Sequence, residues 1–198
     1  MTFWNDKSLE PKRSFKFYVT FGSTAGKKLQ RWMVKAIDLP KFEVGETPHS
    51  YLNYEYYYPG KVKWSELTVT LVDPMDPDAA EQFVKILKAG GYRPPQSNKQ
   101  LDTVSKSAMV NALGAKFTIN QIGADPANVA LGENVGGTKA AGDSGTPGAQ
   151  WQLHNPWIKN VNFGKHSYED EGMIEISLTI RYDYAMFIKN GSNITKDG

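Results

Sequence analysis

The sequence predicts a mainly β protein: an antiparallel β-sandwich or barrel-like fold with one flanking α-helix. Three observations carry this. Ser14 to Phe21 and Met173 to Tyr184 alternate apolar and polar residues with the two-residue period of half-buried strands. Trp64 to Val72 repeats that alternation, with Leu67, Val69 and Leu71 inward. Only Asp76 to Gly91 shows a strong apolar stripe at helical spacing.

The elements follow in order. Residues 1–13 are polar and read as an arm. In the first strand Phe15, Phe17, Val19 and Phe21 share a face. Gly22 to Lys28 carries turn residues, so Leu29 to Ile37 is expected to return as the second strand of a hairpin. Leu39-Pro40 stops it, and Lys41 to Ser50 reads as irregular. Tyr51 to Tyr58 is dense in aromatics, which favour strands, and Pro59-Gly60 signals a turn into Trp64 to Val72.

In the helix, Asp76 is placed as cap, Pro77 at the first position, and Ala80, Phe83, Val84 and Leu87 on the buried face. Glu81 and Lys85 form a supporting pair, and Gly90-Gly91 ends the helix. Residues 101–112 are compatible with a helix through Leu101, Val104 and Ala108, or with the start of a strand. Lys116 to Ile122 reads as extended. Gly123 to Ala149, rich in Gly, Ala, Asn and Thr, is expected to be a flexible surface excursion. Gln150 to Phe163 is strand-like and broken at Asn155-Pro156; Gly164 to Gly172 is a polar turn. Ile174, Ile176, Leu178, Ile180, Tyr182 and Tyr184 share one face of the last strand, and 188–198 is a polar tail.

Composition narrows the function. The 198 residues suit one domain, 1–198, able to bury its own core. With no cysteine, disulfide scaffolds and thiolate metal sites are excluded, which fits a reducing compartment. No segment approaches the roughly 18–20 apolar residues that span a bilayer, so no membrane partner is expected. Net charge is +2, from 23 basic and 21 acidic residues interleaved along the chain. A nucleic-acid binder concentrates its basic residues in a patch or stripe. Here Lys27, Lys28 and Arg31, and Lys61 with Lys63, form only small clusters.

No catalytic, cofactor-binding or metal site is expected. His49, His154 and His166 lack metal-ligand spacing, and no nucleophile elbow, P-loop or dinucleotide fingerprint occurs. Asp73, Asp76 and Asp78 surround a helix start, where carboxylates are favoured, and lack the EF-hand spacing for calcium. The tyrosines of 51–58 have too few interleaved basic residues for a base-stacking platform and read as core plus interface, as do Trp64, Trp151 and Trp157. Open strand edges must be covered, closed into a barrel, or paired with another subunit.

The ordered features resemble a known family. Ala36-Ile37-Asp38-Leu39-Pro40 precedes Tyr51-Leu52-Asn53-Tyr54-Glu55-Tyr56-Tyr57-Tyr58-Pro59-Gly60. Trp64-Ser65-Glu66-Leu67-Thr68-Val69-Thr70-Leu71-Val72 then runs into the helix, and Asn155-Pro156-Trp157 leads to the last alternating strand. Over roughly residues 14–187 this resembles the tail-tube proteins of contractile-tailed bacteriophages. The departure is the long stretch 123–149.

The resemblance implies a structural subunit, not an enzyme, without cofactors. Six copies would close into a ring, and rings would stack into a tube. The partners implied are the chain itself, a tail sheath protein, baseplate and tail-terminator proteins, and viral DNA passing through the lumen without specific binding. The setting implied is the virion tail, assembled in the host cytoplasm. The segment Leu39 to Lys63 would make the ring-stacking contact, through Phe42, Tyr51, Tyr54, Tyr56, Tyr58 and Lys61. The strands at 14–21 and 174–184 would build the channel. The alternatives are a tube-like protein at the baseplate or tube end, the inner tube of a non-viral contractile injection system, and, from another class, a monomeric β-barrel binding protein with a pocket or basic groove.

Overall fold

A computed structural model describes residues 12–22, 29–94, 103–114, 116–122, 149–169, 171–189 and 192–194. Nearly all of the arm and of the 123–149 stretch therefore lie outside the described residues. The chain runs β1 (Phe17–Thr20), a 3-10 turn (Arg31–Met33), β2 (Val34–Ile37), β3 (Phe42–Tyr51), β4 (Tyr54–Trp64), β5 (Leu67–Val72), α1 (Ala79–Ala89), α2 (Lys106–Leu113), β6 (Phe117–Gln121), β7 (Ala149–His154), β8 (Trp157–Asn162), β9 (Glu175–Arg181), β10 (Tyr184–Lys189) and β11 (Ser192–Asn193).

The strands form an antiparallel sheet in the order β1-β6-β7-β10-β11, a second in the order β2-β5-β9-β8, and a separate two-stranded ribbon, β3-β4. The mainly β antiparallel expectation holds. No barrel closes among the described residues.

The alternation read from the sequence sets the core. Leu67, Val69 and Leu71 on β5 stand opposite Ile180, Leu178 and Ile176 on β9, and all six are buried. The first sheet contributes Val19, Phe117, Ile119, Leu153 and Ala185 to the same core. Phe21 meets Phe117 edge-on at 5.2 Å between ring centres. Trp64, Trp151 and Trp157 pack partly buried against this core.

Several expectations are corrected. β1 does not pair with the next strand: it joins β6, while β2 joins β5 in the other sheet. Gln30 to Met33 makes a helical turn there, so the chain changes sheet instead of folding back as a hairpin. Phe15 precedes β1 and is exposed. The last long strand is two: β9 ends at Arg181, the chain bends at Tyr182 and Asp183, and β10 crosses to the first sheet. Tyr184 therefore lies outside the face formed by Ile176, Leu178 and Ile180, and β10 occupies part of the expected polar tail. The strands at 14–21 and 174–184 belong to different sheets.

The single flanking helix is a pair. α1 begins at Ala79, with Asp78 as cap; its Oδ1 accepts from the Glu81 N–H at 2.9 Å. Asp73 Oδ1 accepts from the Ala79 N–H, also at 2.9 Å, so these carboxylates serve the helix start. Glu81 and Lys85 pair at 2.7 Å. The buried face is Ala79, Gln82, Phe83 and Ile86, one position and so about 100° away from the expected stripe. Val84 and Leu87 are left exposed. The second helix accounts for the rotation. α2, capped by Ser105 through the Ala108 N–H, closes on the end of α1 so tightly that a Cβ on Gly90 would stand 2.1 Å from Met109 Sδ.

Candidate assembly interface

The segment expected to be irregular is a strand. β3 and β4 pair from Phe42↔Trp64 to Tyr51↔Tyr54, with the turn at Leu52-Asn53 and not at Pro59-Gly60. At β-strand rise the eleven residues of β4 reach about 35 Å. Pro48 and Pro59 are tolerated because each ribbon strand has a free edge.

The root is anchored. Phe42 packs on Trp64 at 5.4 Å between ring centres, and Trp64 on the buried Tyr182 at 6.1 Å. The Ser65 N–H donates to the Lys41 carbonyl at 2.8 Å. Beyond the root almost every residue is exposed. An isolated two-stranded ribbon is marginal in water, so this one calls for a partner surface.

Register assigns the side chains to faces. Opposed residues share a face, and alternate residues follow. Tyr51, Tyr54, Tyr56 and Tyr58 therefore stand on one face with Thr47 and His49. Glu46, Pro48, Ser50, Glu55, Tyr57 and Pro59 stand on the other, where Tyr57 Oη donates to Glu55 Oε2 at 2.8 Å. The four tyrosines are 51–68% exposed, so their area is available for burial. At the tip, Leu52 has φ 56° and is 84% exposed. A two-residue hairpin turn requires a positive φ at its first residue, a conformation that strains a branched side chain.

Of the six residues expected at the stacking contact, the structure brings four tyrosines together and separates two. Phe42 belongs to the root, and Lys61 lies in a bulge where Gly45 opposes both Gly60 and Lys61. Sequence reading passed over Val44, Leu52 and Val62, which are also exposed on the ribbon. The alternation Phe42-Glu43-Val44 was the available signal, hidden by Gly45 and Pro48.

A second feature lies where β9 turns into β10. A cavity of about 530 Å³ is lined by Val104, Lys106, Met109, Trp157, Arg181, Tyr182 and Asp183. Lys106 Nζ donates to both Asp183 oxygens at 2.7 and 2.8 Å, and Asn155 Nδ2 donates to Oδ2 at 2.8 Å. The Lys106 and Asn155 hydrogen bonds hold the Asp183 carboxyl below its usual range. This ties α2 to the β7–β8 and β9–β10 corners.

The sign of the pH effect follows. A depressed carboxylate contributes stability that is present above its ordinary pKa, near ~3.9, and is lost as pH falls through the lower folded value. Asp183→Asn is expected to cost about 0.5–1 kcal/mol at neutral pH, since the pair is solvent-exposed. The gap from the parent should close below about pH 4 in thermal melts. A gap unchanged at pH 2–3 would exclude the ion pair as its cause.

Other ion pairs join the strands of the second sheet. Glu66 pairs with Lys159 and, at 3.7 Å, with Arg181, and Lys35 pairs with Glu175. His49, His154 and His166 lie on β3, β7 and the 163–167 connection. Among the described residues no group of three or more His, Asp or Glu is placed to hold a metal ion, and no helix is long and apolar enough to cross a membrane.

No protein-family model and no curated protein matches the sequence. Solved structures share the fold. The tube-terminating cap of the anti-feeding prophage superposes with a TM-score of 0.56 at 11% identity, over 91% of this chain and 93% of that one. A chain from the sheath/tube terminator of an extracellular contractile injection system, PVC, in its extended state gives 0.56 at 12% identity, over 91% and 98%. A chain of the six-fold symmetrised anti-feeding prophage baseplate gives 0.52 at 11% identity, over 91% and 97%. The chain thus has the fold of these chains from a tube cap, a sheath/tube terminator and a baseplate. At these identities the likeness is one of fold.

Proposed function

We propose that the chain, taken as one domain over 1–198, is a structural subunit of a contractile injection machine that assembles with copies of itself into rings on the tube axis. The observation that carries this reading is the β3–β4 ribbon. It is a long, exposed, tyrosine-faced element on a fold shared with tube-terminating and baseplate components. The reading assigns no catalytic role and no cofactor. It places the sheath and the neighbouring ring as partners. A phage tail delivering DNA and a non-viral particle delivering other cargo both fit it; the structures with the same fold come from an anti-feeding prophage and an extracellular contractile injection system.

Electron microscopy of the purified chain tests it. Rings with a central hole are expected, and a protein that stays monomeric at high concentration overturns the proposal. A second reading, a subunit at the tube end, is favoured by the likeness to two terminators. It is distinguished by single rings that do not elongate, where a tube subunit gives continuous tubes.

A further inference from the structure

The ribbon carries one irregularity, and it decides where the tyrosines point. Val44 pairs with Val62 and Glu46 with Pro59, so two steps along β3 match three along β4. Gly45 faces both Gly60 and Lys61 there. The strands approach so closely that a Cβ on Gly60 would lie 3.0 Å from the Gly45 carbonyl oxygen.

In an unbroken β4, alternation would place Tyr58, Tyr56 and Tyr54 on the face of Val62 and Trp64. That is the face which turns at the root toward Phe42, Tyr182 and the chain's own core. The extra residue moves the three tyrosines to the opposite face. Beyond the bulge, the face they join, with Thr47, His49 and Tyr51, bears no Lys, Arg, Asp or Glu, whereas the other carries Glu46 and Glu55; toward the root the same face runs through Gly45 to the pair Glu43–Lys63.

Resting on the ring-forming reading above, we infer that the Gly45/Gly60-Lys61 bulge is a positioning device that aims the tyrosine face away from its own core and onto a second copy of this chain. Beyond the bulge this face carries no charge, and its root pairs Glu43 with Lys63 across the strands, so it meets little repulsion from another copy. Its area is also suitable. Four half-exposed tyrosines offer on the order of 500 Å², a large part of the ~800 Å² per side that specific interfaces bury.

Two variants separate the bulge from the direction it sets. Deleting Lys61 removes the bulge but keeps Glu46 opposite Pro59 and the tyrosines on their present face. Inserting one glycine between Gly45 and Glu46 also removes the bulge, but turns the whole distal ribbon over. Self-assembly, into rings and into stacked rings, is read by sedimentation velocity and electron microscopy, and core integrity by thermal melting. The deletion is expected to assemble like the parent. The insertion is expected to need roughly 100-fold more protein, or to fail.

Adding Glu55→Tyr and Pro59→Tyr to the insertion, beside the native Tyr57, puts three tyrosines back on the original face and should restore assembly. That rescue separates aiming from misfolding. Equal assembly of the insertion and the parent overturns the inference. So does failure of the deletion with an unchanged melting temperature, or failure of the rescue. A parent that itself never assembles overturns the ring-forming reading as well, and that outcome is read before any variant is made.

Discussion

Replacing Tyr54, Tyr56 and Tyr58 together by serine is expected to abolish self-assembly through the ribbon while leaving the two-sheet core folded. The three side chains are 51–68% exposed, and none belongs to the buried core, so the melting temperature of the core should change little. The loss falls on assembly. Tyrosine is enriched among the residues that dominate interfaces, where truncation costs about 2 kcal/mol or more. Three such losses in one contact amount to roughly 4–6 kcal/mol, a weakening of at least ~1,000-fold. Sedimentation velocity beside thermal melting checks this. A triple variant that still assembles as far as the parent does, at the parent's threshold concentration, would remove the tyrosine face from the assembly contact.

Leu178→Ala should have the opposite signature. Leu178 is fully buried on β9, with Val69 opposite on β5 and Val161 opposite on β8. Truncating a leucine so enclosed costs about 3–5 kcal/mol, a large share of the 5–15 kcal/mol that holds a typical domain together. For a chain of this size that lowers the melting temperature by roughly 10 °C. Urea or thermal unfolding at fixed pH measures it. A drop of only a degree or two would mean that the β5–β9–β8 layer is not the packed centre of the molecule. Any loss of rings in this variant should follow the loss of folded protein. In the tyrosine variant the two are separated.

The parts of the fold that were legible in the sequence are those where one physical rule acts alone. β5 and β9 alternate because one face is buried, so Leu67 to Leu71 and Ile176 to Ile180 could be read directly. The break at Asn155-Pro156 falls between β7 and β8, where Asn155 takes φ 50°. The misreadings arise where tertiary contacts override a local pattern. The stripe on α1 had two nearly equal registers, and α2, left open between helix and strand, decided between them. β3 was hidden because Gly45 and Pro48 are strand breakers that a two-stranded ribbon tolerates. β10, Tyr184–Lys189, lacks alternation and was merged partly with β9 and partly with a tail.

The common face of Tyr54, Tyr56 and Tyr58 was legible, because their two-residue spacing survives any choice of partner strand, whereas Tyr51, three residues before Tyr54, joins it only through the register across the turn. The exclusion of Tyr57 from that set agrees with its position on the other face. Phe42 and Lys61 were grouped with the tyrosines by nearness in sequence alone. The ring contact at Trp64 and the pairing across Gly45 separate them.

The ribbon and the sheets also differ in when they can form. β3 and β4 are neighbours in the chain and close across a two-residue turn, a process of about 1–10 μs. The first sheet must join β1, near residue 20, to β6, near residue 120, and β7 to β10 across some thirty residues. Such distant pairings put a β protein in the millisecond-to-second range. During synthesis the residues of the tyrosine face are therefore able to pair before the core that anchors them is made. At that stage, holding a newly made chain apart from its neighbours depends on how weakly one ribbon alone adheres. Phenolic rings that remain comfortable in water meet that requirement better than a row of valines and isoleucines would.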